Sequence, residues 1–100
     1  MLNFQYNFEW DPQKASANLR KHGVSFERAA TVFQDTEALS LYDHAHSEAE
    51  DRWITLGMDS RGQLLVVSHT WREAEEGTAH CRVIFARKPT KTEAKQYRNR

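Results

Sequence analysis

A strand followed by two helices is the pattern that most constrains this chain. Apolar and polar residues alternate over residues 4–10, which is the period of a half-buried strand. Asp11 can accept hydrogen bonds from the first free amides of a helix, and Pro12 fits the first helical turn, where a missing N–H costs nothing. Gly23 can adopt the left-handed conformation that ends this helix, and Ser25 can begin the next one.

Further along, apolar segments separated by polar ones predict a series of strands and a last helix. The segment from residue 64 begins with a continuous apolar run, which is typical of a strand covered on both faces. Thr90 and Glu93 have the spacing of a capping box, and Pro89 favours a sharp strand exit and a short helix. The predicted strands are residues 38–42, 52–58, 64–71 and 80–87, the loops are residues 43–51 and 73–77, and the helix is residues 90–98.

This order of elements predicts an α+β fold in which the first strand and two helices pack on a mostly antiparallel sheet. The helices are expected to cover one face of the sheet and to leave the other face open. A length of 100 residues suits one domain, so residues 1–100 should fold as a single unit. An open sheet face on so small a domain is a natural surface for RNA or for a partner chain.

Composition predicts a cytoplasmic protein with no membrane partner. No segment approaches the ~18 apolar residues that a membrane span needs, and the start of the chain lacks the pattern of a secretory signal. Cys81 is the single cysteine, and its place on an alternating strand predicts a buried thiol.

Charge is unevenly distributed although the formal net charge of the chain is zero. Residues 82–100 contain seven basic side chains and one acidic one, a net charge of +6, and the first 81 residues carry −6. A basic end of this kind is typical of a phosphate-binding surface. A solvated helix face with a basic tail gives the same pattern, so charge alone does not separate a nuclease from a protein that binds an acidic partner.

Three segments carry a distinctive combination of residues. They are Phe8-Glu9-Trp10-Asp11-Pro12 with Lys14, Asn18, Lys21-His22-Gly23-Val24 and Phe26-Glu27; Arg52-Trp53-Ile54-Thr55-Leu56-Gly57; and Arg82-Val83-Ile84-Phe85-Ala86-Arg87-Lys88 with Thr90-Lys91, Glu93 and Tyr97. In this order the chain resembles BrnT-type toxins, the ribonuclease partners in bacterial type II toxin–antitoxin pairs. The resemblance implies a RelE-like fold.

The resemblance also implies an activity and a set of partners. A toxin of this type is expected to cleave mRNA without a metal or other cofactor, to leave a cyclic phosphate and to inhibit translation. A BrnA-like antitoxin would neutralise it, and operator DNA would be bound only through that antitoxin. A homodimer or a 2:2 complex with the antitoxin is compatible with this assignment.

Metal-independent cleavage of RNA requires a base for the 2′-hydroxyl group, cations around the phosphate and an acid for the leaving oxygen. Arginine suits the phosphate because its planar donors pair with two oxygens and remain charged. An arginine on a strand is alternatively an exposed or salt-bridged residue with no ligand. The candidates on or beside predicted strands are Arg52, Arg72, Arg82 and Arg87.

The period of a strand separates two of these arginines. Alternation puts Arg82 on the same face as His80 and puts Arg87 on the opposite face. They should therefore not reach one substrate unless the strand bends, and we favour Arg82 for the open face. Arg87, at the strand end with Lys88 and Lys91, is expected to bind RNA.

For proton transfer, the main candidates are His69, on a strand, and Glu50, just before one. A histidine bonded to a neighbouring loop and an ion pair that holds the loop are the alternative interpretations. His22 and Tyr97 are further candidates, for which helix-end electrostatics and packing on the sheet are simpler explanations. The predicted catalytic group is therefore Arg82, His69, Glu50 and Arg52.

Three further hypotheses remain open in the sequence. Trp71 lies beside Arg72 and can stack on a base, whereas large aromatics in a small domain usually form its core. His44 and His46 can bind zinc or manganese, although His-x-His on a loop is a weak metal signal and a metal-dependent enzyme ranks last. A non-catalytic interaction module of the same fold, binding an antitoxin-like partner or nucleic acid, is the alternative to a ribonuclease.

Overall fold

The computed structural model describes residues 5–100. These residues form three α-helices and one six-stranded sheet. Residue 4, which was predicted to begin the first strand, lies outside this range. The predicted α+β class is confirmed. The strands are β1 (Gln5–Glu9), β2 (Leu39–Tyr42), β3 (Trp53–Met58), β4 (Leu64–His69), β5 (Arg72–Glu75) and β6 (Thr78–Arg87), and the helices are α1 (Pro12–His22), α2 (Phe26–Thr31) and α3 (Lys91–Arg98). Two short 3₁₀ turns span Val32–Gln34 and His44–His46.

The first two helices begin and end where local chemistry predicts. The side chain of Asp11 accepts a hydrogen bond from the backbone N–H of Gln13 at 2.8 Å, which satisfies a free amide of α1. Gly23 ends that helix with a φ of 69°, a conformation that favours glycine. Ser25 Oγ then accepts a hydrogen bond from the backbone N–H of Arg28 at the start of α2.

The sheet is mixed, with the strand order β1-β6-β4-β3-β2 and with β5 paired to β6. β1 runs parallel to β6, and the other strand pairs are antiparallel. β6 is ten residues long, and it pairs with β1 and β5 along its first half and with β4 along its second half. β6 therefore joins the part of the sheet that contains β1 and β5 to the part that contains β4.

One face of the sheet packs against α2, and we call it the α2 face. Close packing is possible here because Gly57 has no side chain: a Cβ at this position would lie 2.7 Å from Cγ1 of Val32 and 2.9 Å from Cβ of Ala38. This core should contribute most of the hydrophobic stabilisation of the domain. Its buried members are Val24, Phe26, Ala29, Val32, Leu65, Val67, Val83 and Ala86.

The opposite face packs in part against α3, and we call it the α3 face. Leu56, Val66 and Tyr97 form a buried cluster there, and the hydroxyl group of Tyr97 donates a hydrogen bond to Asp35 at 2.7 Å. The prediction that this face stays fully open is therefore wrong. The sequence period of α3 could not reveal which face the helix would cover, because the contact depends on where the chain turns after β6. Leu41 on β2 remains 72 % exposed beside the covered region.

An ion pair fixes α3 to the end of β6. The guanidinium group of Arg87 donates to both carboxylate oxygens of Glu93, at 2.8 and 3.0 Å. This hydrogen bond from Arg87 lowers the pKa of Glu93 to about 2. Glu93 also accepts a hydrogen bond from the backbone N–H of Thr90, and this confirms the predicted capping box.

A buried amide joins α1 to the sheet. Asn18 is 6 % exposed, and its Nδ2 donates to the backbone carbonyls of Val24 at 2.9 Å and Ala86 at 2.8 Å. Its Oδ1 accepts from the backbone N–H of Ala86 at 3.1 Å. β1 ends before this position of β6. The side chain of Asn18 therefore takes the place of a neighbouring strand.

The segment predicted as a loop at residues 73–77 instead contains most of β5. Arg72–Glu75 pairs with the start of β6, and Gly77 makes the turn with a φ of 78°. All four residues of β5 are exposed, so no apolar alternation marks this strand in the sequence. Its pairing with β6 also extends the predicted strand at residues 80–87 back to Thr78.

A bulge in β6 changes the faces that alternation predicts. Ser68 pairs with Phe85 but His69 pairs with Val83, so Ile84 is an extra residue in the strand. Arg87 then lies opposite Val66, on the α3 face, which is also the face of Arg82. The expected separation of Arg82 and Arg87 onto opposite faces is therefore wrong, because one additional residue reverses the alternation.

Candidate nucleic-acid cleavage site

A cavity of about 280 Å³ lies where β1, β5 and the first half of β6 meet, and we call it the charged cavity. Strand register explains how it is formed. Arg72 lies opposite His80, and Glu9 lies opposite Arg82, so the three strands project these side chains to one face. The cavity is lined by Glu9, Glu50, Asp51, Thr70, Trp71, Arg72, His80 and Arg82.

Glu50 is the carboxylate at the centre of this group. Its Oε1 accepts a hydrogen bond from Nη2 of Arg82 and lies 3.6 Å from Nη2 of Arg52. The three side chains are between 32 and 40 % exposed. They are therefore ordered by ion pairing and remain accessible to a ligand from solution.

The structure thus brings together most of the arginines that the sequence singled out. Arg52, Arg72 and Arg82 lie at or beside the charged cavity with Glu50. His80 and Glu9 belong to the same surface but were not proposed as site residues from the sequence. The signal for His80 was present, because it is two residues from Arg82 on the same strand and so shares its face. Glu9 could be found only from the register of β1 on β6.

His69 does not join this group. It lies on the α2 face and is 2 % exposed, with Nε2 at 2.6 Å from Thr55 Oγ1 and Nδ1 at 2.9 Å from the backbone oxygen of Thr70. Burial lowers the pKa of His69 to about 4. Both ring nitrogens are engaged within the protein, so the geometry favours the interpretation of His69 as a structural residue.

Arg87, Lys88 and Lys91 are also separate from the charged cavity. Four residues, including the bulge residue Ile84, lie between Arg82 and Arg87 on β6, a separation of roughly 13–16 Å along the strand. The guanidinium group of Arg87 is held by Glu93, whereas Lys88 and Lys91 are exposed. These three residues therefore do not share one ligand-sized site with Arg82.

Trp71 separates the charged cavity from a second one. This second cavity has a volume of about 260 Å³, and we call it the aromatic cavity. Its lining includes Trp53, Phe33, Ser40 and His69. Trp10 instead packs edge-on against Phe26 in the core, with ring centroids 5.9 Å apart.

The remaining candidates have structural partners. Burial raises the pKa of Cys81 to about 12, which disfavours a reactive thiolate. His46 lies 2.9 Å from Asp43, and within residues 5–100 no group of three or more metal-ligating side chains is assembled. Tyr97 is held by Asp35, and His22 ends α1.

No helix in the described part of the chain has the length and apolar character needed to span a membrane.

The charged cavity contains the residue types that a metal-independent reaction at a phosphodiester requires. Guanidinium groups pair with phosphate oxygens, and a carboxylate and an imidazole can transfer protons. The comparison with known families agrees with this class: residues 10–93 match the family described as ribonuclease toxin, BrnT, of type II toxin–antitoxin systems. The chain belongs to this family. A search of curated proteins finds no match.

Proposed function

We propose that this protein is a metal-independent endoribonuclease that cleaves mRNA in the cytoplasm and so inhibits translation. The observation that carries the proposal is the position of Glu50 between Arg82 and Arg52 at an accessible cavity. Family membership supports the ribonuclease class. The reaction is proposed to use the side chains of Glu50, Arg82 and Arg52, which already lie together in the structure.

The proposed reaction is an internal displacement at phosphorus. The 2′-oxygen of the RNA loses its proton to Glu50 and bonds to the adjacent phosphorus, while the bond to the 5′-oxygen of the next nucleotide breaks. Arg82 and Arg72 stabilise the negative charge that accumulates on the phosphate oxygens. His80, on the same face as Arg82, donates a proton to the leaving 5′-oxygen. The products are a 2′,3′-cyclic phosphate and a 5′-hydroxyl end.

Replacement of Glu50 tests the assignment of the base. Purified protein should cleave a single-stranded RNA in the presence of EDTA, and Glu50→Gln should lower the cleavage rate about 10²-fold, the usual contribution of a general base. Glu48→Gln is the matched control, because Glu48 is exposed in the same loop. Cleavage products should carry cyclic phosphate ends. Loss of all cleavage with EDTA, restored by a divalent cation, would contradict the metal-independent reaction.

We further propose that a BrnA-like antitoxin neutralises the protein and that operator DNA is bound only through this antitoxin, in a homodimer or a 2:2 assembly. Support comes from membership in a type II toxin–antitoxin family. Induction of the chain alone should arrest bacterial growth, and co-expression of the protein encoded by the adjacent reading frame should restore it. Normal growth on induction of folded protein would instead favour a non-catalytic interaction module.

A further inference from the structure

The aromatic cavity has no part in the cleavage reaction proposed above, yet it adjoins the charged cavity directly. Trp71 lines both cavities. The register of the strands places the two cavities on opposite faces of the sheet, since Trp53 lies opposite His69 on the α2 face, whereas His80 and Arg82 lie on the α3 face. They meet at Trp71, which follows the end of β4.

The lining of the aromatic cavity suits a flat, uncharged group. Aromatic rings come from Tyr6, Phe33, Trp53 and Trp71, and none of the lining residues within 5–100 has a charged side chain. Phe33 packs edge-on against His69, with ring centroids 4.6 Å apart. Aromatic surfaces of this kind bind planar rings by stacking.

A chain of hydrogen bonds determines which polar partner the cavity can accept. The backbone oxygen of Thr70 can only accept, so Nδ1 of His69 must carry the proton of their 2.9 Å bond. Nε2 of the neutral ring must then accept the hydroxyl proton of Thr55 at 2.6 Å. Thr55 Oγ1 is left to accept, so Ser40 Oγ donates to it across 2.7 Å.

The consequence is that Ser40 Oγ has only lone pairs available for a ligand. The low pKa of His69 keeps this polarity at neutral pH. Ser40 itself is exposed. A ligand that satisfies Ser40 must therefore present an N–H or O–H group at the edge of its ring.

We infer that the aromatic cavity binds a nucleobase of the RNA, stacked on Trp53 and presenting an N–H group to Ser40 Oγ, next to the phosphate that enters the charged cavity. This inference rests on the proposed ribonuclease function for the identity of the ligand. A nucleobase is planar, uncharged and rich in N–H donors at its edge. The cavity would then determine at which bases the RNA is cut.

Binding can be measured without cleavage by titration with 2′-deoxy trinucleotides, which lack the attacking hydroxyl group. The three tryptophans provide three indole N–H signals in an NMR spectrum, assigned by replacement of each with phenylalanine. The signals of Trp53 and Trp71 should shift, whereas that of Trp10 should not, because Trp10 packs against the buried core. The absence of a shift at Trp53 and Trp71, or an equal shift at Trp10, would overturn the inference whether or not RNA is cut.

The role of Ser40 has its own test. Ser40→Ala should weaken binding of the preferred trinucleotide about fivefold, the loss of one hydrogen bond. It should also redistribute the cut sites along a long RNA. Ser60→Ala, in an exposed turn, is the matched control and should change neither property. Unchanged affinity and unchanged cut sites in Ser40→Ala would contradict the inferred hydrogen bond between Ser40 and the base. A wild-type protein that binds the trinucleotide in the aromatic cavity but does not cleave RNA would contradict the nuclease proposal alone.

Discussion

Arg82→Ala should reduce RNA cleavage about 10²–10³-fold while the domain remains folded. The expected loss is that of one preorganised donor to a charged transition state. The substitution also removes the nearer of the two arginines that pair with Glu50. The side chain of Arg82 is 40 % exposed, so its loss should alter the unfolding free energy only slightly. The measurement is the initial rate of cleavage of a labelled RNA.

Arg61→Ala is the control for this experiment. Arg61 lies in the exposed turn between β3 and β4, and its replacement removes the same charge from the protein without touching the charged cavity. Arg82→Lys retains the charge but not the paired donors, and should recover only part of the activity. Equal activity of Arg82→Ala and Arg61→Ala would show that the arginine cluster is not the cleavage site.

Asn18→Ala should lower the unfolding free energy by roughly 3 kcal/mol, since it leaves buried polar backbone groups without partners. The affected groups are the carbonyl of Val24 and both the N–H and the carbonyl of Ala86. Urea unfolding followed by tryptophan fluorescence measures this loss. A loss below about 1 kcal/mol would mean that water replaces the side chain.

Asn18→Asp distinguishes hydrogen bonding from packing. The carboxylate has the size of the amide but places an oxygen against the carbonyl oxygens of Val24 and Ala86, so it should destabilise at least as much as alanine at neutral pH. Gln96→Ala, on the exposed surface of α3, should change the unfolding free energy by less than about 0.5 kcal/mol. If Asn18→Asp matches the wild type, the donated hydrogen bonds are not the stabilising feature.

The helices were predictable because their signals are local. Asp11, Gly23 and Ser25 act on amides within a few residues, and the capping box of Thr90 and Glu93 depends only on their spacing. β5 was not predictable, because its four exposed residues are ordered by pairing with β6 rather than by burial. The face of the sheet that α3 covers was not predictable either, because it depends on where the chain turns after β6.

The residue types of the candidate site were predictable from the sequence, and their arrangement was less so. Placement on or beside predicted strands indicated Arg52, Arg72 and Arg82. Arg72 and Arg82 line the charged cavity, and Arg52 lies beside it, near Glu50. The bulge at Ile84 could not be seen in the period of β6. The orientation of His69 was also hidden, because β4 is buried on both faces and its sequence has no alternation to indicate a direction.

In the protein without a ligand, Glu50 serves as the counter-ion of Arg82. A phosphodiester that enters the charged cavity must compete with this carboxylate for Arg82, so other anions meet a guanidinium group that already has a counter-ion. In the proposed reaction, the exchange of one anion for another would release Glu50 as a base only once the substrate has arrived. The proposed base would thus become available only when the substrate is bound.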